Sequence, residues 1–189
     1  TVDLFTSEKY DYNKYLSERE NGLLTMGEYL YSPGKYYFAI APLFINNLEG
    51  RFPKSVVIAM GCWSLKPECE QMAIAFIDKG VKAYVGWTDI VFPQDTDYET
   101  IRLLKMLLNE NETLADAISQ TKEYTYYGVH TRMGFYPPSA GNLKISELIA
   151  ETKLSSSLAA FNSVINFYSL LIINTSERED SKRKAKLIR

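Results

Sequence analysis

The sequence predicts an α/β domain built on a mostly parallel central sheet, and three observations carry that expectation. Residues 56–60 read Val-Val-Ile-Ala-Met, an unbroken apolar run. It lacks the alternation of a half-exposed strand and fits a central strand covered on both faces. Residues 83–87, Ala-Tyr-Val-Gly-Trp, make a second such run, with a helical pattern between the two. Strand, helix, strand in that order is a βαβ unit, whose crossover is right-handed. Finally, 189 residues of which 46% are apolar and 23% charged suffice for one domain with a real core.

Taken in order, residues 1–35 are rich in tyrosine and charge. Asn21-Gly22 is a strong short hairpin signal and predicts strands over 12–19 and 23–31. Ser32-Pro33-Gly34-Lys35 reads as a second turn. Over residues 36–48, Phe38, Ile40, Ala41, Phe44, Ile45 and Leu48 recur at helical spacing, with Pro42 tolerable only near a first turn and Gly50 as the stop. Residues 67–79 read as the crossover helix, with Pro67 at its first position, Gly80 at its C-terminal cap, and Met72, Ala73, Phe76 and Ile77 as its apolar stripe. Thr96-Asp97-Tyr98-Glu99 reads as a capping box opening a helix through Leu108, with Asp95 and Asp97 as helix-start residues. Thr113-Leu114-Ala115-Asp116 repeats the signal for a helix to about Tyr124. Residues 128–143, with Pro137-Pro138 and Gly141, read as loop or irregular strand.

The organisation expected is a main domain over 1–145, a helical segment over 146–175 and a charged tail over 176–189. Residues 158–173 are mostly apolar, but Asn162, Ser163, Asn166 and Ser169 interrupt them. A core or interface helix is therefore favoured over a membrane contact. Lys182-Arg183-Lys184-Ala185-Lys186 reads as a solvated end.

A net charge of -2 supplies no basic footprint, so nucleic acid is not an expected partner. Two cysteines and one histidine, with no CxxC, leave neither a disulfide framework nor a metal constellation, and no cofactor is expected. GxSxG, Walker, GxGxxG and HExxH patterns are absent from the sequence. A flavodoxin-like small-molecule binder would need a phosphate-binding turn that is not there.

Ligands of open α/β sheets collect at the carboxyl ends of the strands, where Cys62 is expected to stand. A thiol becomes a good nucleophile beside a helix N-terminus or a histidine. Gly61 lets the backbone approach a substrate closely, and the Cys62 N–H is suited to hold an oxyanion. The plainer reading is that Cys62 is a small buried hydrophobe, the usual state of a free cysteine. Cys69 is expected to pack within its helix.

The run Ser55-Val56-Val57-Ile58-Ala59-Met60-Gly61-Cys62, then a helix, then Asp78-Lys79-Gly80-Val81-Lys82-Ala83-Tyr84-Val85-Gly86-Trp87, resembles the caspase-like cysteine peptidases, the group with the gingipain, clostripain and CHAT branches. Leu4-Phe5-Thr6-Ser7-Glu8, Met60-Gly61-Cys62 and Thr96-Asp97 resemble more narrowly an archaeal, gingipain-like branch. The resemblance covers about residues 1–140 and rests on the order of the pieces rather than on one long motif. It implies a caspase-like three-layer sandwich, here without its first strands, with Cys62 as nucleophile, Gly61 and Cys62 amides at the oxyanion, and a peptide or protein as substrate.

The resemblance also implies a histidine general base at the end of the preceding strand, upstream of the cysteine. The one histidine here is His130, downstream. The expectation is that residues before Thr1 supply the base; the competing idea is that His130 folds back onto Cys62. Substrate recognition in this group uses the end of the next strand, which here is Trp87, Thr88 and Asp89. Asp89 is suited to a basic side chain, against the plainer reading that Asp89 caps a turn and Trp87 is core. The alternative to a peptidase is a non-catalytic caspase-like module that binds or signals.

Overall fold

The computed structural model describes residues 2–28 and 33–155, with side chains to residue 150. The expected segment at 158–173 and the basic run at 182–186 lie outside the described residues. Within them the chain is α/β, with β1 (Leu4–Lys9), α1 (Leu16–Glu20), β2 (Leu24–Glu28), β3 (Tyr36–Ile40), α2 (Pro42–Asn47) and β4 (Val56–Ile58) in the first third. Then follow α3 (Gln71–Asp78), β5 (Ala83–Trp87), α4 (Pro93–Leu108), α5 (Leu114–Ser119), β6 (Tyr124–Tyr126), β7 (Val129–Thr131), β8 (Met133–Tyr136), a 3-10 turn at Pro138–Asn142, and α6 (Ile145–Ser155).

The central sheet runs β4-β5-β8. Val56, Val57 and Ile58 pair in parallel with Ala83, Tyr84 and Val85, as the βαβ reading requires. Both runs are buried throughout because helices cover both faces. Val56, Ile58, Met60, Val85 and Trp87 pack against Leu103, Met106 and Leu107 of α4 and Ala117 of α5. Val57, Ala59 and Tyr84 face the other way, onto Met72, Ala73 and Phe76 of α3. Alternating side chains from one apolar run thus feed two cores.

The expectation of a mostly parallel sheet needs correction. β4–β5 is the only parallel pair among the described residues, and β8 joins β5 antiparallel. The sheets are small, and β1-β3-β2 and the β6–β7 hairpin are separate and antiparallel.

Several local expectations change once long-range pairing enters. Residues 36–48 are not one helix. Tyr36–Ile40 is the middle strand between β1 and β2, and the helix starts only at Pro42, whose fixed φ suits a first helical position. Asn21-Gly22 is not a hairpin tip but the end of α1. Leu23 N–H bonds to Glu18 C=O at 2.8 Å and Gly22 N–H to Arg19 C=O at 3.0 Å, with Gly22 at φ +69°, the Schellman pattern. The real hairpin joins β2 to β3 around Pro33-Gly34, where the second turn was expected.

Gly80 caps α3 as predicted, with φ +98° and Val81 N–H bonded to Phe76 C=O at 3.1 Å. The start of that helix is later than predicted, at Gln71, because residues 61–70 form turns. Thr113 caps α5 through Asp116 N–H at 3.2 Å, but the helix ends at Ser119, and Tyr124 opens a strand. Residues 128–143 contain β7, β8 and the 3-10 turn.

Candidate functional site

β4 leaves the sheet through Ala59, whose N–H still bonds to Val85 C=O at 2.8 Å, and the chain then folds into the turns that carry Cys62. What permits this turn to lie on β5 is Gly86. A Cβ there would stand 2.7 Å from Ser64 Oγ and 3.0 Å from the Leu65 backbone nitrogen. Ser64, buried, completes the junction by donating to Ala59 C=O at 3.0 Å and accepting from Trp87 N–H at 2.8 Å. Leu65 N–H reaches Trp87 C=O at 2.9 Å.

Cys62 is half-buried and packs against the Leu103 side of the core. Its Sγ donates to Val91 C=O at 3.3 Å and accepts from Val91 N–H at 3.4 Å. The expected neighbour was the start of the crossover helix, and that is corrected. α3 begins only at Gln71, whereas Val91 directly precedes Phe92, the N-cap of α4. Any favourable helix-terminal field at the sulfur therefore comes from α4. The N–H groups of Gly61 and Cys62 have no acceptor among the described residues. Both residues line a pocket of about 20 Å³ closed on its other side by Val2, Asp3, Leu4 and Phe5. Such a volume holds about one water molecule.

Trp63 follows at φ +57°, a strained conformation for a bulky residue, and is pinned by Asp89. Its N–H bonds to Asp89 C=O at 3.2 Å, and its indole Nε1 donates to Asp89 Oδ1 at 2.9 Å. Asp89 Oδ1 also accepts the N–H of Ile90 at 2.8 Å, the turn-capping role weighed for it. Thr88 exchanges bonds with Arg132, N–H to C=O at 3.0 Å and Oγ1 from N–H at 3.1 Å. Trp87 is wholly buried at 0% exposure, so a direct substrate contact through it is corrected to a core role.

Thr96 and Glu99 do not form a capping box. α4 begins earlier, at Pro93, which puts Thr96 inside its first turn. There Thr96 Oγ1 donates to Met60 C=O at 3.0 Å and accepts from Trp87 Nε1 at 2.9 Å. Glu99, fully buried, accepts Lys122 N–H at 3.1 Å and Tyr124 OH at 3.0 Å, and Asp95 accepts the Tyr126 hydroxyl.

His130 is exposed on β7, with Nδ1 3.0 Å from Thr125 Oγ1. Strand alternation turns the next residue, Thr131, inward to accept Asp89 N–H at 3.1 Å, and thereby turns His130 out. It makes no bond to Cys62. Cys69 is a half-buried free thiol in the turn before α3, bonded through its N–H to Lys66 C=O, and not inside the helix. Among the described residues no cluster of His, Cys, Asp and Glu could hold a metal ion, and no helix is long and apolar enough to cross a membrane.

Comparison with family models, curated proteins and solved structures yields no match. The residues that build the junction beyond those singled out by sequence are Trp63, Ser64 and Val91, and Thr96 joins it in a role other than the helix cap expected of it. Gly86 was the one local signal of it, since a glycine inside a buried strand marks a close backbone approach.

Proposed function

We propose that this chain is part of a caspase-like cysteine peptidase in which Cys62 attacks the scissile carbonyl. The observation that carries the reading is the placement of Cys62. A half-buried thiol stands just beyond the carboxyl end of β4, held by Val91, beside the unengaged N–H groups of Gly61 and Cys62. In the first step the thiol gives its proton to the base, the sulfur bonds to the carbonyl carbon, and those amides receive the oxyanion. Collapse releases the amine, which takes a proton from the base, and leaves a thioester that water hydrolyses.

The reading requires a histidine base that this sequence does not itself hold near Cys62, since its one histidine, His130, faces away from the thiol. β4 is the edge of its sheet, and Val56, Val57 and Ile58 are nonetheless covered by this chain's own residues, at 3%, 0% and 3% exposed. The pocket beside Cys62, with residues 2–5 against residues 59–64, has room for about one water molecule and not for a peptide.

A second reading, a non-catalytic module that binds or signals, is favoured by the outward position of His130. Alkylation with iodoacetamide near neutral pH, read by mass spectrometry, separates the two when combined with a peptide-library cleavage assay on the full-length protein. A peptidase modifies Cys62 at least about tenfold faster than Cys69, and Cys62→Ser abolishes cleavage. Equal rates with no cleavage favour the binding module.

A further inference from the structure

We propose that the solvent-facing side of α4 is the docking site for this chain's own residues 158–173. Tyr98, Ile101 and Leu108 are 64%, 57% and 38% exposed there. Spacings of three and seven residues put them on one side of the helix. Lys105 stands between them, and its stem can lie along apolar neighbours while the ammonium stays in water. The opposite side of α4 is already buried in the core through Leu103, Met106 and Leu107. A helix apolar on both sides belongs between two layers, and the described residues supply only one of them.

The occupant follows from where the chain goes next. Glu112 N–H bonds to Met106 C=O at 3.1 Å, and Leu114 N–H to Leu143 C=O at 2.9 Å. The chain therefore returns to the C-terminal end of α4, near Leu108, just before α6 begins. From there α6 packs beside α4 and ends at Ser155. Ser156 and Ser157 then separate α6 from Leu158. A link of that length is enough to join antiparallel helices.

Residues 158–173 lie outside the described residues, and their sequence carries the complementary pattern. They hold no charged side chain. Asn162, Asn166 and Ser169 recur at helical spacing, so on a helix one side is polar and the other apolar. The run has 16 residues, as α4 has. A helix of that length, about 24 Å, matches α4 end to end and falls short of a bilayer core of about 30 Å. The short link also favours docking within one chain over docking between two copies, because it holds the segment at a high effective concentration. None of this depends on the chemistry assigned to Cys62.

Hydrogen exchange on the full chain, read by mass spectrometry, tests the assignment. Amides of residues 158–173 are expected to be protected. The double variant Ile101→Glu/Leu108→Glu should speed their exchange at least about tenfold and leave α3, on the other face of the sheet, unchanged. Ile101→p-benzoylphenylalanine gives an independent reading should the charged variant fail to fold. Photolysis should link position 101 to residues 158–173 of the same chain, in a yield unchanged by about tenfold dilution. Unprotected amides over 158–173, or exchange there unaffected by the two glutamates, overturns the proposal. So does a photolysis product that joins two chains, one that joins the protein to lipid when phosphatidylglycerol vesicles are added, or no product at all.

Discussion

The indole Nε1 of Trp87 donates to the hydroxyl of Thr96 at 2.9 Å, and both side chains are buried. The same hydroxyl donates to Met60 C=O at 3.0 Å. One small side chain on α4 therefore joins the last residue of β5 to the backbone just before Cys62. Thr96→Val keeps the shape and leaves two buried polar groups unpaired. A loss of about 2 kcal/mol in urea unfolding is expected, with Thr96→Ser retaining most of it. A change within error for the valine variant would show that the bridge contributes nothing.

Tyr84 presents the opposite case. Its ring is wholly buried, and its hydroxyl has no hydrogen-bond partner among the described residues. Tyr84→Phe removes a desolvated group and no bond, so the protein should gain roughly 1 kcal/mol. Thermal or urea unfolding reads this directly, and a marked loss would mean that the hydroxyl is paired.

Alkaline pH should weaken the fold through the tyrosines. Burial, and then the bond to Glu99, raises the Tyr124 phenol well above its ordinary value of 10.0. Burial and the bond to Asp95 do the same for Tyr126, and burial alone for Tyr84. A raised folded-state value means that the unfolded chain loses its protons first. The stability these groups contribute is therefore whole below pH 10 and falls as pH rises toward and through the raised values. Urea midpoints at pH 8 and pH 11 should differ, and the double variant Tyr124→Phe/Tyr126→Phe should narrow the difference.

Gly86→Ala drives a methyl group into the Ser64–Leu65 turn, where the nearest atoms include backbone. A loss of about 2 kcal/mol is expected. Because that turn also carries Cys62, the alkylation rate of Cys62 should change while that of Cys69 does not. Equal effects on both thiols would indicate general loosening instead.

Not all of this was equally legible. The apolar runs at 56–60 and 83–87 needed only composition and continuity, and Gly80 and Thr113 only their neighbours, so these features stand as read. The run at 36–48 misled because Phe38 and Ile40, two apart as on one face of a strand, also fall into the helical spacing of Ala41, Phe44, Ile45 and Leu48. Pairing with both β1 and β2 settles it as a strand. Thr96 misled for a related reason. Its type and spacing from Glu99 fit a helix start, but Pro93 opens the helix earlier and turns both side chains inward.

By itself, then, the sequence determined that two buried strands flank a helix and that Cys62 follows the first of them. Those properties depend on residues a few positions apart, whose burial and capping are decided locally. Only the tertiary structure decided what meets the sulfur, which is the backbone of Val91, and where His130 points, which is outward onto Thr125. Such partners are brought together by how α4 and the β6–β7 hairpin pack on the sheet, and packing over those separations leaves no periodic trace in the chain.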